Sequence, residues 1–184
     1  MTELLHRTLQ SWLDDNVLVD IWRDRIDDDE SITGIPFQIS DKFIALHRVS
    51  DQHEFDGVTV LAIDDVTRVR RDSAALESIA QLMRGKSRPK LPAFRLEYWM
   101  DIALSVHDAF GHVAAHTAEH CFIGFVLDHD HQWLLLDEVA TLARRDRSQL
   151  ILDIDAVNRV DADDAYTRSV VRLANERKTD SLTS

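Results

Sequence analysis

The sequence predicts an α+β protein made of two tandem small antiparallel β-barrels, each flanked by helices and related by internal duplication. Three observations predict it: a seven-residue motif that occurs twice, matched residues on either side of both copies, and short alternating strands separated by turn signals. The motif is Ile63-Asp64-Asp65-Val66-Thr67-Arg68-Val69, and it returns as Ile154-Asp155-Ala156-Val157-Asn158-Arg159-Val160. A shift of 91 positions aligns the copies and also brings Asp72 onto Asp163, Ala74 onto Ala165 and Leu82 onto Leu173. Upstream the shift is 90, which matches Gly34 with Gly124, Phe43 with Trp133, Leu46 with Leu136 and Val49 with Val139. Further back, Trp12-Leu13-Asp14 is set against Trp99-Met100-Asp101, and Val17, Val19 and Ile21 against Ile102, Leu104 and Val106. A period this long exceeds any solenoid repeat, so each copy is read as a whole small domain.

The elements follow from local pattern. Residues 3–14 read as a helix with Leu5, Leu9, Trp12 and Leu13 on one stripe. Val17 to Trp22 is β-branched and reads as a strand. The acidic run Asp27-Asp28-Asp29-Glu30 is read as a solvated hairpin tip, because it lacks the central Gly and distal Glu of a calcium loop. Residues 32–39 alternate as a strand around Gly34, and Pro36 inside it predicts an edge position or a bulge. Further strands are expected over 43–49 and 58–63, with Asp56-Gly57 as the turn between them. The twin motif then supplies a short turn and a closing strand. Asp72-Ser73 caps a helix that ends near Gly85. In the second copy a helix is expected over 94–100, strands over 102–106, 121–127, 133–139 and 149–154, and a last helix behind the acids Asp161 to Asp164. The domain boundaries are accordingly 1–86 for the first repeat, 87–92 for a basic, proline-containing linker, 93–178 for the second repeat and 179–184 for a polar tail.

Composition narrows the class. The chain has 184 residues, of which 45% are apolar, enough for a real core in two units of modest size. A net charge of −12 opposes nonspecific binding to phosphate backbones and favours a basic protein partner. One cysteine excludes an intrachain disulfide and fits a reducing compartment, read here as the cytoplasm. No apolar run is long enough to span a bilayer, and no secretory leader is recognised at the N-terminus.

The segments Gly34…Asp41…Phe43-Ile44-Ala45-Leu46 and Gly124…Asp130…Trp133-Leu134-Leu135-Leu136 resemble the first half of an Sm-like or SH3-like small barrel, over about 50 residues of each copy. The resemblance implies a fold and leaves activity open. Sm-type proteins bind RNA through Asn- and Arg-Gly-containing loops, and Ile-Asp-Asp-Val or Ile-Asp-Ala-Val stands at that place here.

Candidate sites are few. His112, His116 and His120 form the one metal-ligand candidate, since His116 and His120 would share a face if helical. The Glu of a His-Glu-x-x-His motif is missing, because Thr117 follows His116. Trp22 lies out of phase with its strand and, with Asp27, Asp28 and Asp29, forms the candidate partner-binding set. Two basic patches, Arg68, Arg70, Arg71 and Arg144, Arg145, Arg147, have no aromatic residues interleaved with them in sequence, which stacking on nucleic-acid bases would need. No catalytic residue, phosphate loop or nucleophile elbow is recognised, and no cofactor is implied. The expected function is a non-enzymatic, acidic protein-interaction or inhibitor module, immunity- or antitoxin-like. A metal-dependent hydrolase and an Sm-like RNA binder are the alternatives.

Overall fold

The computed structural model describes residues 3–139 and 147–182; the side chains of 28–30, 147 and 177–182 lie outside that description. The chain divides into two compact units, Met1–Glu97 and Tyr98–Ser184.

The first unit opens with α1 (Glu3–Asp14), whose Leu5, Leu9 and Trp12 face a core of Val19, Ile21, Ile44, Leu46, Leu61 and Ile63. Strands β1 (Val19–Arg23), β2 (Asp27–Ile39), β3 (Phe43–Val49) and β4 (Phe55–Ala62) run as an antiparallel meander. The twin motif makes a 3-10 turn (Ile63–Asp65) that leads into β5 (Arg68–Arg70), which pairs back onto β1. Helix α2 (Ala74–Leu82) starts at Ser73, whose hydroxyl accepts from the Leu76 amide, and packs on the opposite face of the sheet against Leu18, Val49, Ile35 and Phe55.

The second unit repeats this plan. Helix α3 (Trp99–Phe110) precedes β6 (Val113–His116), β7 (Cys121–His129), β8 (Trp133–Val139) and β9 (Arg147–Asp153). A 3-10 turn (Ile154–Ala156) leads to β10 (Arg159–Ala162), which pairs with β6. Helix α4 (Ala165–Leu182) is capped by Asp164, whose carboxylate accepts from the Tyr166 and Thr167 amides. It lays Val170 and Ala174 on Ala114, Ile123 and Val139.

The duplication holds pair by pair in the strand register. Gly34 opposes Arg48 as Gly124 opposes Glu138, Ala45 opposes Val60 as Leu135 opposes Ile151, and Trp22 opposes Ser31 as His116 opposes Cys121. Asp72 and Asp163, just before the two helix caps, both adopt left-handed backbone, at φ 55 and 59. A Cβ added to Gly34 would lie 2.7 Å from the His47 carbonyl oxygen, and one added to Gly124 would lie 2.8 Å from that of Asp137. Glycine is required at both places because the strand passes directly over its neighbour's backbone. A bulge follows in each copy, at Phe37 and at Leu127; Pro36 sits at the first of these, and β2 is a central strand, not an edge.

The structure corrects four expectations. The two tandem closed barrels do not form. Each unit holds an open antiparallel sheet, ordered β5-β1-β2-β3-β4 in the first and β10-β6-β7-β8-β9 in the second, and among the described residues the two outermost strands of neither pair with each other. Hairpin patterning fixes which strands are neighbours, but closure depends on the curvature and stagger of the whole sheet. Residues 102–106 belong to α3 and not to a strand, so Val19 and Ile21 correspond to Val113 and Ala115, not to Ile102, Leu104 and Val106. The helix expected over 94–100 begins only at Trp99. The preceding segment is extended and tied to the first unit: the Gln38 side chain donates to Phe94 O (2.6 Å) and accepts from Phe94 N (2.8 Å), and Ser40 Oγ donates to Leu96 O (2.7 Å). Residues 179–182, read as tail, continue α4.

Candidate interaction surface

The histidines singled out in the sequence are placed in three separate environments. His112 is buried behind α3, with Nδ1 3.1 Å from Phe110 O and Nε2 accepting from the Asp163 amide at 3.5 Å. His116 ends β6 and His120 is exposed, its ring stacked on Phe122. Among the described residues, no group of three or more His, Cys, Asp or Glu side chains is arranged to hold a metal ion.

His116 instead joins a cross-strand row that sequence reading missed. Strands β10, β6 and β7 place Arg159, His116 and Cys121 side by side, with Asp161 two residues along β10. His116 Nε2 lies 3.1 Å from Asp161 Oδ2 and 3.5 Å from Cys121 Sγ, while Arg159 Nε lies 3.1 Å from the same Asp161 oxygen. A thiol, an imidazole and a carboxylate in contact resemble a nucleophilic triad in composition, but the wiring is wrong. A triad histidine uses one ring nitrogen for the nucleophile and the other for the acid. Here Nε2 faces both, and Nδ1 faces the Arg159 guanidinium at 3.2 Å. Although Cys121 is exposed at the surface, desolvation around the sulfur, and then the charge of Asp161, push its thiol up to about 12. At pH 8 such a thiol holds roughly a thousandfold less thiolate than an ordinary cysteine. Alkylation of native Cys121 by iodoacetamide is therefore expected to be far slower than in the urea-unfolded chain. Equal rates in the two states would contradict this placement.

The same row in the first unit carries Arg68, Trp22 and Ser31. Arg68 and Arg70 lie over the Trp22 ring at 4.8 and 5.0 Å, and Arg71 lies over Trp12 at 5.5 Å. Aromatic residues thus do accompany this basic patch, from strands and helices distant in sequence. The Trp22 ring is already covered by guanidinium groups, and Arg68 donates twice to Asp24, at 2.9 and 2.6 Å. That pairing holds the Asp24 carboxyl below its usual range. Asp27 opens β2 opposite Arg23, while the side chains of Asp28 and Asp29 lie outside the described residues. Arg144 and Arg145 also lie outside them, as does the side chain of Arg147.

A cavity of about 240 Å³ in the first unit has an apolar floor of Leu18, Ile35, Phe55 and Met83 beneath Lys86 and Arg88. Both cations are engaged within the unit: Lys86 with His53 O and Glu54, Arg88 with Asn16.

The clearest difference between the copies lies on the sheet face that carries α2 or α4. Each helix covers only one end of that face. In the first unit the other end is buried: Phe43 is 6% exposed, and Ala45 and Val60 are 0% exposed. There the extended segment before α3 lies beside β2, with Phe94 edge-on to Phe37 at 5.7 Å. In the second unit the equivalents of Phe43 and Val60 are open, Trp133 at 42% and Ile151 at 63% exposed; Leu135, the equivalent of Ala45, is half-buried, and Leu127 beside them is 49% exposed. Asp128 and Asp153 stand beside them in the strand register, and Asp130 and Asp155 lie in the turns that follow. Asp130 accepts from the Gln132 and Trp133 amides, which hold its carboxyl below the usual range. An apolar, aromatic centre inside an acidic rim has the anatomy of a protein-interaction surface. Sequence alignment of the repeats had matched Phe43 with Trp133, but no local signal distinguishes the covered copy from the open one.

Comparison with protein-family models, with curated proteins and with solved structures finds no match to this chain.

Proposed function

We propose that this chain is a non-enzymatic protein-interaction module that engages a basic partner through the second unit. The observation that carries this reading is the open apolar face of Leu127, Trp133 and Ile151 beside Asp128 and Asp153; the first-unit counterparts of Trp133 and Ile151, Phe43 and Val60, are buried. The net charge of −12 adds long-range attraction to a cationic protein, as an immunity- or antitoxin-like inhibitor would use. A single cysteine fits action in the cytoplasm. No described helix is long and apolar enough to cross a membrane.

The test is site-specific photo-crosslinking in the native host. A benzophenone side chain at position 151 is expected to capture one protein in stoichiometric yield, and one at Leu82, exposed on α2 of the first unit, is expected to capture none. Loss of that adduct in 1 M salt would fit a partner held by charge as well as apolar contact. An absence of any specific adduct at position 151 would end the reading.

A further inference from the structure

The first unit shows what kind of ligand such a face accepts. Its extended segment Phe94-Arg95-Leu96 buries the two apolar side chains, at 3% and 4% exposure, and leaves the arginine outward. Gln38 clamps the Phe94 main chain at both its N–H and its C=O, and Ser40 donates to the Leu96 carbonyl. In the second unit the equivalents of Gln38 and Ser40 are Asp128 and Asp130, and Asp153 and Asp155 stand where the first unit has Ala62 and Asp64.

We infer that the open face of the second unit is the docking site for an extended, cationic peptide segment of the aromatic–basic–aliphatic type. Its apolar side chains seat on Leu127, Trp133 and Ile151, two residues apart as Phe94 and Leu96 are. The substitution of carboxylates for a neutral amide and hydroxyl sets the specificity. A carboxylate only accepts, so Asp128 takes a main-chain N–H of the ligand but cannot donate to its C=O as Gln38 does. The acidic rim then selects a segment with Lys or Arg beside the apolar pair, by charge complementarity. The inference rests on the reading of this face as an interaction surface and goes beyond it by naming the ligand's conformation and sequence type.

The probe is the chain's own segment 90–97 (Lys-Leu-Pro-Ala-Phe-Arg-Leu-Glu) as a blocked, fluorescently labelled peptide, titrated with the full-length protein by anisotropy. Saturable binding is expected, weakened about tenfold or more by Ile151→Glu, since this places a charge in the apolar centre. Replacing both apolar residues of the peptide with serine should abolish it. Asp128→Asn and Asp153→Asn, surface changes that leave the core untouched, should each weaken binding about threefold and flatten its salt dependence. Binding indifferent to Ile151→Glu, or none up to 1 mM peptide by the affinity scale of weak peptide contacts (about −4 kcal/mol), would overturn the inference. So would sedimentation showing a dimer that Ile151→Glu dissociates, because a second copy would then cover the face. A crosslinked partner at position 151 without peptide binding would refute only this ligand assignment. Peptide binding without a crosslinked partner would instead refute the proposed function.

Discussion

Replacing Asp161 with leucine is expected to destabilise the fold by about 3–5 kcal/mol, because it strands a buried guanidinium without its counter-charge. Asp161 is 2% exposed and Arg159 9%, and the pair is in contact at 3.1 Å. Breaking a buried pair costs far more than the pair contributes over an apolar substitute. The double variant Arg159→Leu/Asp161→Leu should therefore recover most of the loss. Urea unfolding, followed at fixed pH 7, reads both effects. A single variant as stable as the wild type would show that the pair is solvated in solution. A double variant as unstable as the single would show that the apolar replacements cannot pack.

The second large effect concerns acid. His47 is buried among Phe37 and Phe55, at ring distances of 4.5 and 6.0 Å, and its Nδ1 is buried without a hydrogen-bond partner. Burial first, and the Arg88 charge second, lower its pKa from 6.5 to about 4. A histidine with a depressed native pKa is neutral in the fold and charged in the unfolded chain between those two values. The unfolded state then binds the extra proton, so stability is fully present above pH 6.5 and falls as pH drops towards 4. The loss should reach about 3 kcal/mol below pH 4. His47→Phe is expected to remove this part of the acid sensitivity while leaving that of the carboxylates in place. The two proteins compared by urea midpoint from pH 7 to 4 supply the test. Parallel curves would mean that His47 charges within the folded state at no cost.

Much of the secondary structure was legible because local chemistry decides it. The stripe Leu5, Leu9, Trp12 gave α1, alternation around Gly34 gave the later part of β2, and Ser73 gave the start of α2. The misread helix α3 illustrates the limit. Ile102, Leu104 and Val106 alternate like a strand, yet Ile102, Ala103 and Val106 also share one helical face, and that face is the one buried. Gly111, which ends the helix in left-handed conformation at φ 74, was the available signal against a strand. The histidines show a related limit: a helical spacing would put His116 and His120 on one face, whereas the β-hairpin register pairs His116 with Cys121.

By itself the sequence determined the duplication, most strands of each copy and the turn and short strand of the twin motif. Those depend on side-chain periodicity, glycine at a close approach and turn chemistry, all of which act within a few residues. Only the tertiary structure decided that the sheets stay open, that Asp161 and Arg159 are buried together, and that one copy of a shared face is covered while the other is exposed. Closure, burial and coverage depend on which distant segments arrive at a surface. Phe43 and Trp133 are equivalent in the repeat, and what reaches each of them makes the first a core residue and leaves the second exposed.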